Sequence, residues 1–175
     1  MNSIDLHIID ITHNSIGGGA SEIKFIIEKS EAKNTFSCEI IDNGRGIPKE
    51  MLETITDPYS TTRTERKVGL GIPLLKFHAE LTGGEFSIDS ELGKGTSVKV
   101  KFNTDHPDCQ PVGDMAGTLA QFITQFPDLE ISVSIVNDRE SIQISSSELK
   151  EAFEIEGRFS NQDYLLIKEL LSSYC

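Results

Sequence analysis

The sequence predicts an α+β sandwich, in which a mostly antiparallel sheet is covered by helices. Two observations predict it. Segments with alternating apolar residues occur in pairs, and segments with apolar residues at helical spacing lie before, between and after these pairs. This order is typical of helices packed on an antiparallel sheet. The chain has 175 residues, of which 37% are hydrophobic, enough for one compact core with a small appendage.

The first part of the chain predicts a helix, a hairpin and a second helix. Residues 3–16 carry isoleucine and leucine at roughly helical spacing, and the glycines at 17–19 end this helix because glycine readily adopts the left-handed conformation. Residues 22–28 and 35–42 alternate apolar and polar side chains, and the polar link between them predicts a hairpin. Pro48 opens a short helix, "PKEMLETIT", at a position that proline favours.

The middle of the chain predicts a loop, a helix and a second hairpin. Residues 57–68 show no period and predict a loop, whereas residues 71–84 predict a helix with glycines at both ends. Two further strands are predicted over 85–90 and 96–102. The polar segment 103–114, with two prolines and a glycine, predicts a linker.

The residues after the linker predict a small C-terminal α/β segment that serves as an interaction module. We therefore divide the chain into residues 1–104 and 105–175. The last helix has an apolar stripe that we expect to dock on its own domain rather than form a dimer seam. The predicted elements are helix 114–125, strands 129–136 and 140–145, and helices 146–154 and 160–173. The stripe consists of Leu165, Leu166, Leu170 and Leu171.

The charge balance excludes several kinds of partner. Lys and Arg total 16 and Asp and Glu total 28, which gives a formal net charge of −12. Nucleic acids and anionic membrane surfaces are unfavourable partners, because their binding depends on Lys and Arg at phosphate groups. The N-terminus is unlike a signal peptide, and no stretch approaches the ~20 apolar residues of a membrane span. The three cysteines fit no metal motif or disulfide framework, so we expect reduced thiols and a cytoplasmic location.

Asp42 ends a predicted strand and is followed by Gly44 and Gly46. A carboxylate at the rim of a sheet can accept a hydrogen bond from an exocyclic amine such as that of adenine. The glycines would let a flat ligand approach the backbone. Taken alone, an ordinary Asp-Asn-Gly turn is the simpler explanation. Thr96, at the start of a strand, would join a water network at an adenine edge or simply lie in a turn.

Asp10 and Asn14 are four residues apart, so both lie on one face of the first helix. A carboxamide oxygen is a suitable magnesium ligand, and a carboxylate one turn earlier could orient or deprotonate a water. A solvated polar helix face is the alternative explanation. We expect His13 to be exposed and assign no role to it.

Gly69 and Gly71 immediately precede a predicted helix. The free backbone N–H groups and the dipole at such a helix start favour phosphate binding. The loop before them adds hydroxyls and a cation that suit phosphate oxygens. A solvated loop is the alternative explanation. These loop residues are Thr61, Thr62 and Arg63.

The order and spacing of these motifs resemble the GHKL, or Bergerat-fold, ATP-binding domain of gyrase B, MutL, the related heat-shock chaperones and sensor histidine kinases. "DITHNSIGGGA" is similar to the first box of the MutL type, and "DNGRGIP" to the second box. "DPYSTTRT" resembles a lid, and "GLGIPLLKFHAELTGGEFSIDSELGKGTSVKVKF" resembles the ending of a histidine kinase. The resemblance covers about residues 4–102 and implies a sheet covered on one face by helices.

The resemblance also implies Mg-ATP as the ligand, bound under a mobile lid. Asn14 would coordinate the magnesium ion, Asp42 would bind the adenine amine, and Thr96 would hold the water network behind it. The other implied nucleotide-binding residues are Gly44, Gly46, Ile47, Thr61, Thr62, Arg63, Gly69, Leu70 and Gly71.

The chain departs from the family pattern at two positions. Asp10 occupies the place of the general-base glutamate of hydrolytic members, and Lys67 replaces the first glycine of the glycine box. We see no helical hairpin with a phosphoacceptor histidine ahead of Asn14, so we expect a protein partner or phosphoacceptor in trans. Three activities stay open: phosphoryl transfer to a separate protein, slow ATP hydrolysis using Asp10, and a non-catalytic module whose partner affinity follows nucleotide state. A homodimer stays open as the assembly.

Overall fold

The computed structural model describes residues 2–56 and 70–175, and the loop predicted at 57–68 lies outside this part of the chain. The helices of the described part are α1 (Ile4–Gly17), α2 (Lys49–Leu52), α3 (Gly71–Leu81), α4 (Met115–Gln125), α5 (Ser146–Ala152) and α6 (Asn161–Ser172). Its strands are β1 (Glu22–Ser30), β2 (Thr35–Asp42), β3 (Glu85–Glu91), β4 (Gly95–Asn103), β5 (Glu130–Val136) and β6 (Ser141–Ser145).

Each helix and strand predicted within the described residues is present, most with ends that differ by one or two residues. The largest difference is the helix predicted at 48–56, which is reduced to the four residues of α2. None of its residues is buried. A short helix gains most of its stability from tertiary packing, so an unburied segment does not continue for further turns.

The six strands form one sheet in the order β3-β4-β2-β1-β5-β6. All neighbouring strands are antiparallel except β1 and β5, which are parallel. The two strands that follow the linker therefore extend the sheet that the first four strands begin. The division of the chain at residue 104 stays a prediction.

One face of the sheet is apolar and is covered by α1, α3 and α4. Phe25 of β1 lies opposite Ile40 of β2 and Val133 of β5, and all three side chains are buried. They share one core with Ile8 of α1 and Leu119 of α4. Because side chains alternate along a strand, the opposite face carries the polar residues. The predicted fold class, with helices on one face of a mostly antiparallel sheet, is confirmed.

The apolar stripe predicted on the last helix is only partly correct. Helix α6 packs against α4. The side chains buried there are Leu171 and Ile167, which lie one turn apart and so share a face. The other three leucines lie outside this face and are exposed. Their exposed fractions are 62% for Leu165, 48% for Leu166 and 38% for Leu170.

No helix in residues 2–56 and 70–175 combines the length and the apolar character that crossing a membrane requires.

Two histidines join α1 to α3. The ring centroids of His7 and His78 are 5.2 Å apart, and His7 Nε2 lies 3.0 Å from Oε1 of Gln110. Burial is the main cause that lowers the pKa of both imidazoles. Both rings are therefore neutral near pH 7. Because burial disfavours the charged form, the packing of α1 against α3 is more stable when both rings are neutral.

We expect the free energy of unfolding to fall as the pH is lowered below 6.5, the ordinary pKa of both histidines. Below that value the unfolded chain binds protons that the folded chain excludes, so protonation favours unfolding until the pH passes the lowered folded pKa. Urea titrations between about pH 7.5 and pH 5.5 would measure this slope. His7→Gln should flatten it, and equal slopes in wild type and variant would contradict the assignment.

Candidate functional site

A cavity of about 180 Å³ lies between α1, the end of β2 and the start of β4. Four separate segments of the chain contribute to its wall, and three of them carry residues singled out from the sequence. The predicted site residues that line the cavity are Asn14, Asp42, Gly46, Ile47 and Thr96.

Asp42 is placed by the register of its strand. It lies opposite Ile23 of β1 and Thr96 of β4. Ile23 is a buried core residue, so the Asp42 side chain points to the same helix-covered face. Ser15 Oγ donates a 2.6 Å hydrogen bond to Asp42 Oδ2, and the Gly44 N–H donates a 2.8 Å bond to Oδ1. These donors fix the carboxylate, and each oxygen keeps acceptor capacity for a ligand.

The two glycines after Asp42 have different roles. Gly46 lines the cavity with φ +70°, and a Cβ there would lie 2.1 Å from the carbonyl oxygen of Glu91. Only glycine therefore lets this segment approach the turn between β3 and β4 so closely. Gly44 is buried but is absent from the cavity wall, and it acts through its N–H group on Asp42.

Ser90 of β3 links two predicted residues. Its hydroxyl donates to the carbonyl oxygen of Gly95 at 2.9 Å and accepts the N–H of Ile47 at 2.8 Å. Thr96 Oγ1 lies 2.9 Å from the same hydroxyl oxygen. Because the hydrogen of Ser90 goes to Gly95, Thr96 acts as the donor in that pair. Ser90 was not predicted as a site residue, because only the pairing of β3 with β4 brings it opposite Thr96.

Asp10 and Asn14 lie on α1 but face different surroundings. Asn14 lines the cavity, and its Nδ2 is buried with no hydrogen-bond partner among the described residues. Asp10 Oδ2 is also buried and unpartnered in the described part of the chain, but Asp10 does not line the cavity. It lies against Gly71, where a Cβ would be 1.6 Å from Oδ2. Asp10 therefore occupies the junction of α1 with the start of α3.

The predicted glycine box lies partly outside the described residues. Leu70 and Gly71 open α3, but neither lines the cavity, and the Leu70 side chain is exposed. The next residue, Ile72, does line it. The predicted lid and box residues Thr61, Thr62, Arg63 and Gly69 lie outside the described residues.

Several lining residues were not predicted as site residues. Ser15 and His13 flank Asn14 in the sequence, and Arg45 lies between the two glycines, so proximity to the motifs was the available signal. His13, which we expected to be exposed and gave no role, is exposed but also forms part of the wall. The full set of additional lining residues is Ile11, His13, Ser15, Gly17, Gly18, Arg45, Ile72 and Val98.

Known proteins contain domains that are similar to part of this chain. A family model described as histidine kinase-, DNA gyrase B- and HSP90-like ATPase matches residues 3–106. The sensor kinase CckA of Brucella abortus is 43% identical over 63 residues, which are 35% of this chain and 7% of that kinase. The chain spans less than a fifth of the length of the curated relatives it matches.

Two solved structures share the fold. The N-terminal domain of a DNA repair protein superposes with a TM-score of 0.62 at 15% identity, covering 87% of this chain and 57% of that one. The MutL ATPase domain of Aquifex aeolicus, complexed with ADP, gives a TM-score of 0.55 at 12% identity, covering 89% and 70%. Each match covers more of this chain than residues 3–106 contain, so the shared fold includes part of the C-terminal segment.

Proposed function

Because the chain belongs to the histidine kinase-, DNA gyrase B- and HSP90-like ATPase family, as its motifs indicated, we propose that its cavity binds Mg-ATP under a mobile lid and that the bound state acts on a partner protein. The observation that carries the proposal is the convergence of Asn14, Asp42 and Thr96 on one cavity. These residues come from three segments far apart in sequence. The ADP bound to the MutL ATPase domain, a protein of the same fold, supports the same class of ligand.

The environment of Asp42 favours adenine over guanine. Its carboxylate is held by Ser15 and Gly44 and can accept a hydrogen bond from the exocyclic amine of adenine. Guanine would place a carbonyl oxygen against the carboxylate, and two acceptors repel. The cavity of about 180 Å³ is smaller than the ~300–1,000 Å³ of a complete small-molecule site, so we assign it to the base and sugar, with Asn14 at the end that would face the phosphates.

Asn14 fits the role of a magnesium ligand. The described residues contain no group of three or more His, Cys, Asp or Glu side chains that could hold a metal by itself. Magnesium at a nucleotide needs only one or two protein oxygens besides the phosphates and waters. The Asn14 carboxamide lies at the cavity wall, where its oxygen would be the ligand of the ion. Its Nδ2, which has no partner in the described part, would donate to a phosphate oxygen. When bound, the ion neutralises phosphate charge, which a chain of net charge −12 would otherwise repel.

Asp10 supports a second candidate activity, slow ATP hydrolysis. Its Oδ2 is buried and has no hydrogen-bond partner among the described residues, as a general base that awaits a water would have. Its absence from the cavity wall favours the alternatives instead: phosphoryl transfer to a separate protein, or a module whose partner affinity follows nucleotide state. The sensor kinases related to this chain make a partner protein the stronger proposal.

Calorimetric titration with ATP, ADP and GTP, with and without magnesium, tests the proposed ligand. We expect ATP to bind, magnesium to increase its affinity and GTP to be rejected, because Asp42 selects the amine and Asn14 binds the ion. Equal affinity for ATP and GTP would contradict the role of Asp42. Failure of every nucleotide to bind would contradict the proposed function itself.

Incubation of the purified chain with ATP labelled at the γ-phosphate then separates the activities. Free labelled phosphate would indicate hydrolysis. Label on the chain itself would indicate that the chain is a phosphoacceptor, and a labelling rate per chain that rises with protein concentration would indicate transfer between copies and support the homodimer. If the ATP stays intact, two activities remain: phosphoryl transfer to a different protein, and a non-catalytic module. This result would exclude Asp10 as an active base in the isolated chain.

A further inference from the structure

His13 connects the cavity to the C-terminal segment. It lies on the cavity wall next to Asn14. Its ring also contacts Phe122 of α4 and Phe126, the residue that follows this helix. The centroid distances are 5.4 Å to Phe122 and 6.3 Å to Phe126, with interplanar angles of 66° and 71°. Both are edge-to-face arrangements, which aromatic rings favour. Phe122 and Phe126 lie beyond residues 3–106, the part that the family model matches.

The two phenylalanines are held by the core. Phe122 is buried, and its ring stacks on Phe126 at 5.8 Å and on Phe25 of β1 at 6.5 Å. The start of α4 is also fixed, because Asp114 accepts the N–H of Gly117 at 3.0 Å. The rings that contact His13 are therefore packed against the core, and they restrict the positions that the imidazole can take.

We propose that His13 contacts the sugar–phosphate part of the bound nucleotide, and that Phe122 and Phe126 position it there. The inference rests on the proposed function and deepens it. Asp42 would mark the adenine end of the site and Asn14 the phosphate end, so His13 lies at the sugar–phosphate end. An imidazole ring carries an N–H donor whichever tautomer it adopts, and this donor can bind a ribose hydroxyl or a phosphate oxygen. The C-terminal segment thereby becomes part of the nucleotide site.

A purely structural role for His13 is the competing explanation, in which the ring only covers the two phenylalanines. Two substitutions separate these roles. His13→Phe keeps an aromatic ring against Phe122 and Phe126 but removes the polar contact. His13→Ala removes both. His106→Ala is the matched control, because this histidine lies in the linker and is absent from the cavity wall.

Calorimetric titration of the full chain with Mg-ATP and with adenine tests the contact. We expect His13→Ala and His13→Phe both to weaken Mg-ATP binding about three- to tenfold, the effect of one hydrogen bond, and to leave adenine binding unchanged. His106→Ala should bind both ligands as wild type does. Wild-type Mg-ATP affinity in His13→Phe would overturn the polar contact and leave only packing.

A double-mutant cycle tests the positioning role. Phe126 is half-buried, so Phe126→Leu is expected to fold, and it should weaken Mg-ATP binding in the wild-type background but not in His13→Ala. Phe153→Leu, a half-buried phenylalanine just after α5, is the matched control and should change neither affinity. Additive losses from Phe126→Leu and His13→Ala would overturn the positioning role.

The outcome for Asp42→Asn separates failure of the His13 contact from failure of the proposed function. If this variant loses Mg-ATP binding while the His13 variants bind normally, the inference fails and the proposed function stands. If the Asp42 variant also binds normally, the assignment of the nucleotide to this cavity fails. If the wild-type chain binds no nucleotide, the proposed function fails as well.

Discussion

Replacing Asp42 by asparagine is expected to lower the affinity for ATP about 10- to 100-fold, because a hydrogen bond to a charged group contributes ~1.5–3 kcal/mol. Both oxygens of the native carboxylate already accept a bond within the protein, from Ser15 and from Gly44. An asparagine that keeps its oxygen toward the Gly44 N–H must place its amide N–H₂ where the adenine amine would bind. Two donors would then face each other.

The matched control for this substitution is Asp138→Asn. Asp138 accepts from a serine hydroxyl, Ser30 Oγ at 2.6 Å, and from a backbone N–H, Ala32 at 2.9 Å, as Asp42 does from its own pair. It is exposed and does not line the cavity. Calorimetry should show wild-type ATP affinity for Asp138→Asn and weak binding for Asp42→Asn. Equal affinities in the two variants would remove Asp42 from the site.

Local patterns in the sequence were sufficient to predict the elements of the fold, because alternation and helical spacing are properties of each segment. Pairing between distant segments was not predictable in this way. Residues 129–136 were predicted as a strand of a separate C-terminal segment, but their partner is β1, more than a hundred residues earlier. Apolar alternation fixes which face of a strand is buried, but it does not specify the neighbouring strand.

The same limit applies to the site. Asp42 and Thr96 were each placed at a strand end, and the β2–β4 register then brings them opposite one another. Ser15 and Ser90 were missed, because each acts through a hydrogen bond to a residue on another element. Asp10 shares a helix with Asn14 at the expected spacing, but contact with Gly71 of α3 places it away from the cavity wall. Spacing along one helix cannot predict which neighbouring element each residue will meet.

Several glycines of the first two boxes line the cavity. Among them, we expect Gly46 to cause the largest fall in the free energy of unfolding when it is replaced by alanine, the variant Gly46→Ala. Its φ of +70° strains any side chain, and the new Cβ would lie 2.1 Å from the Glu91 carbonyl oxygen, a backbone atom that cannot rotate away. The left-handed conformation costs about 1–2 kcal/mol, and forcing the two segments apart adds about 1–3 kcal/mol. Urea unfolding would measure the loss, and the displaced wall should also weaken ATP binding.

Gly93→Ala separates the two contributions. Gly93 lies in the β3–β4 turn that Gly46 approaches, and its φ is +81°. Nothing lies within 4 Å of the position that a Cβ on Gly93 would take. Gly93→Ala should therefore lower the free energy of unfolding only by the cost of the left-handed conformation, about 1–2 kcal/mol, and should bind ATP as wild type does. If both variants lose the same stability, the close approach of Gly46 to Glu91 contributes nothing, and the glycine is required by backbone conformation alone. A larger loss in Gly46→Ala, accompanied by weaker ATP binding, would mean that contact between this segment and the β3–β4 turn maintains the cavity in which Asp42 and Thr96 meet.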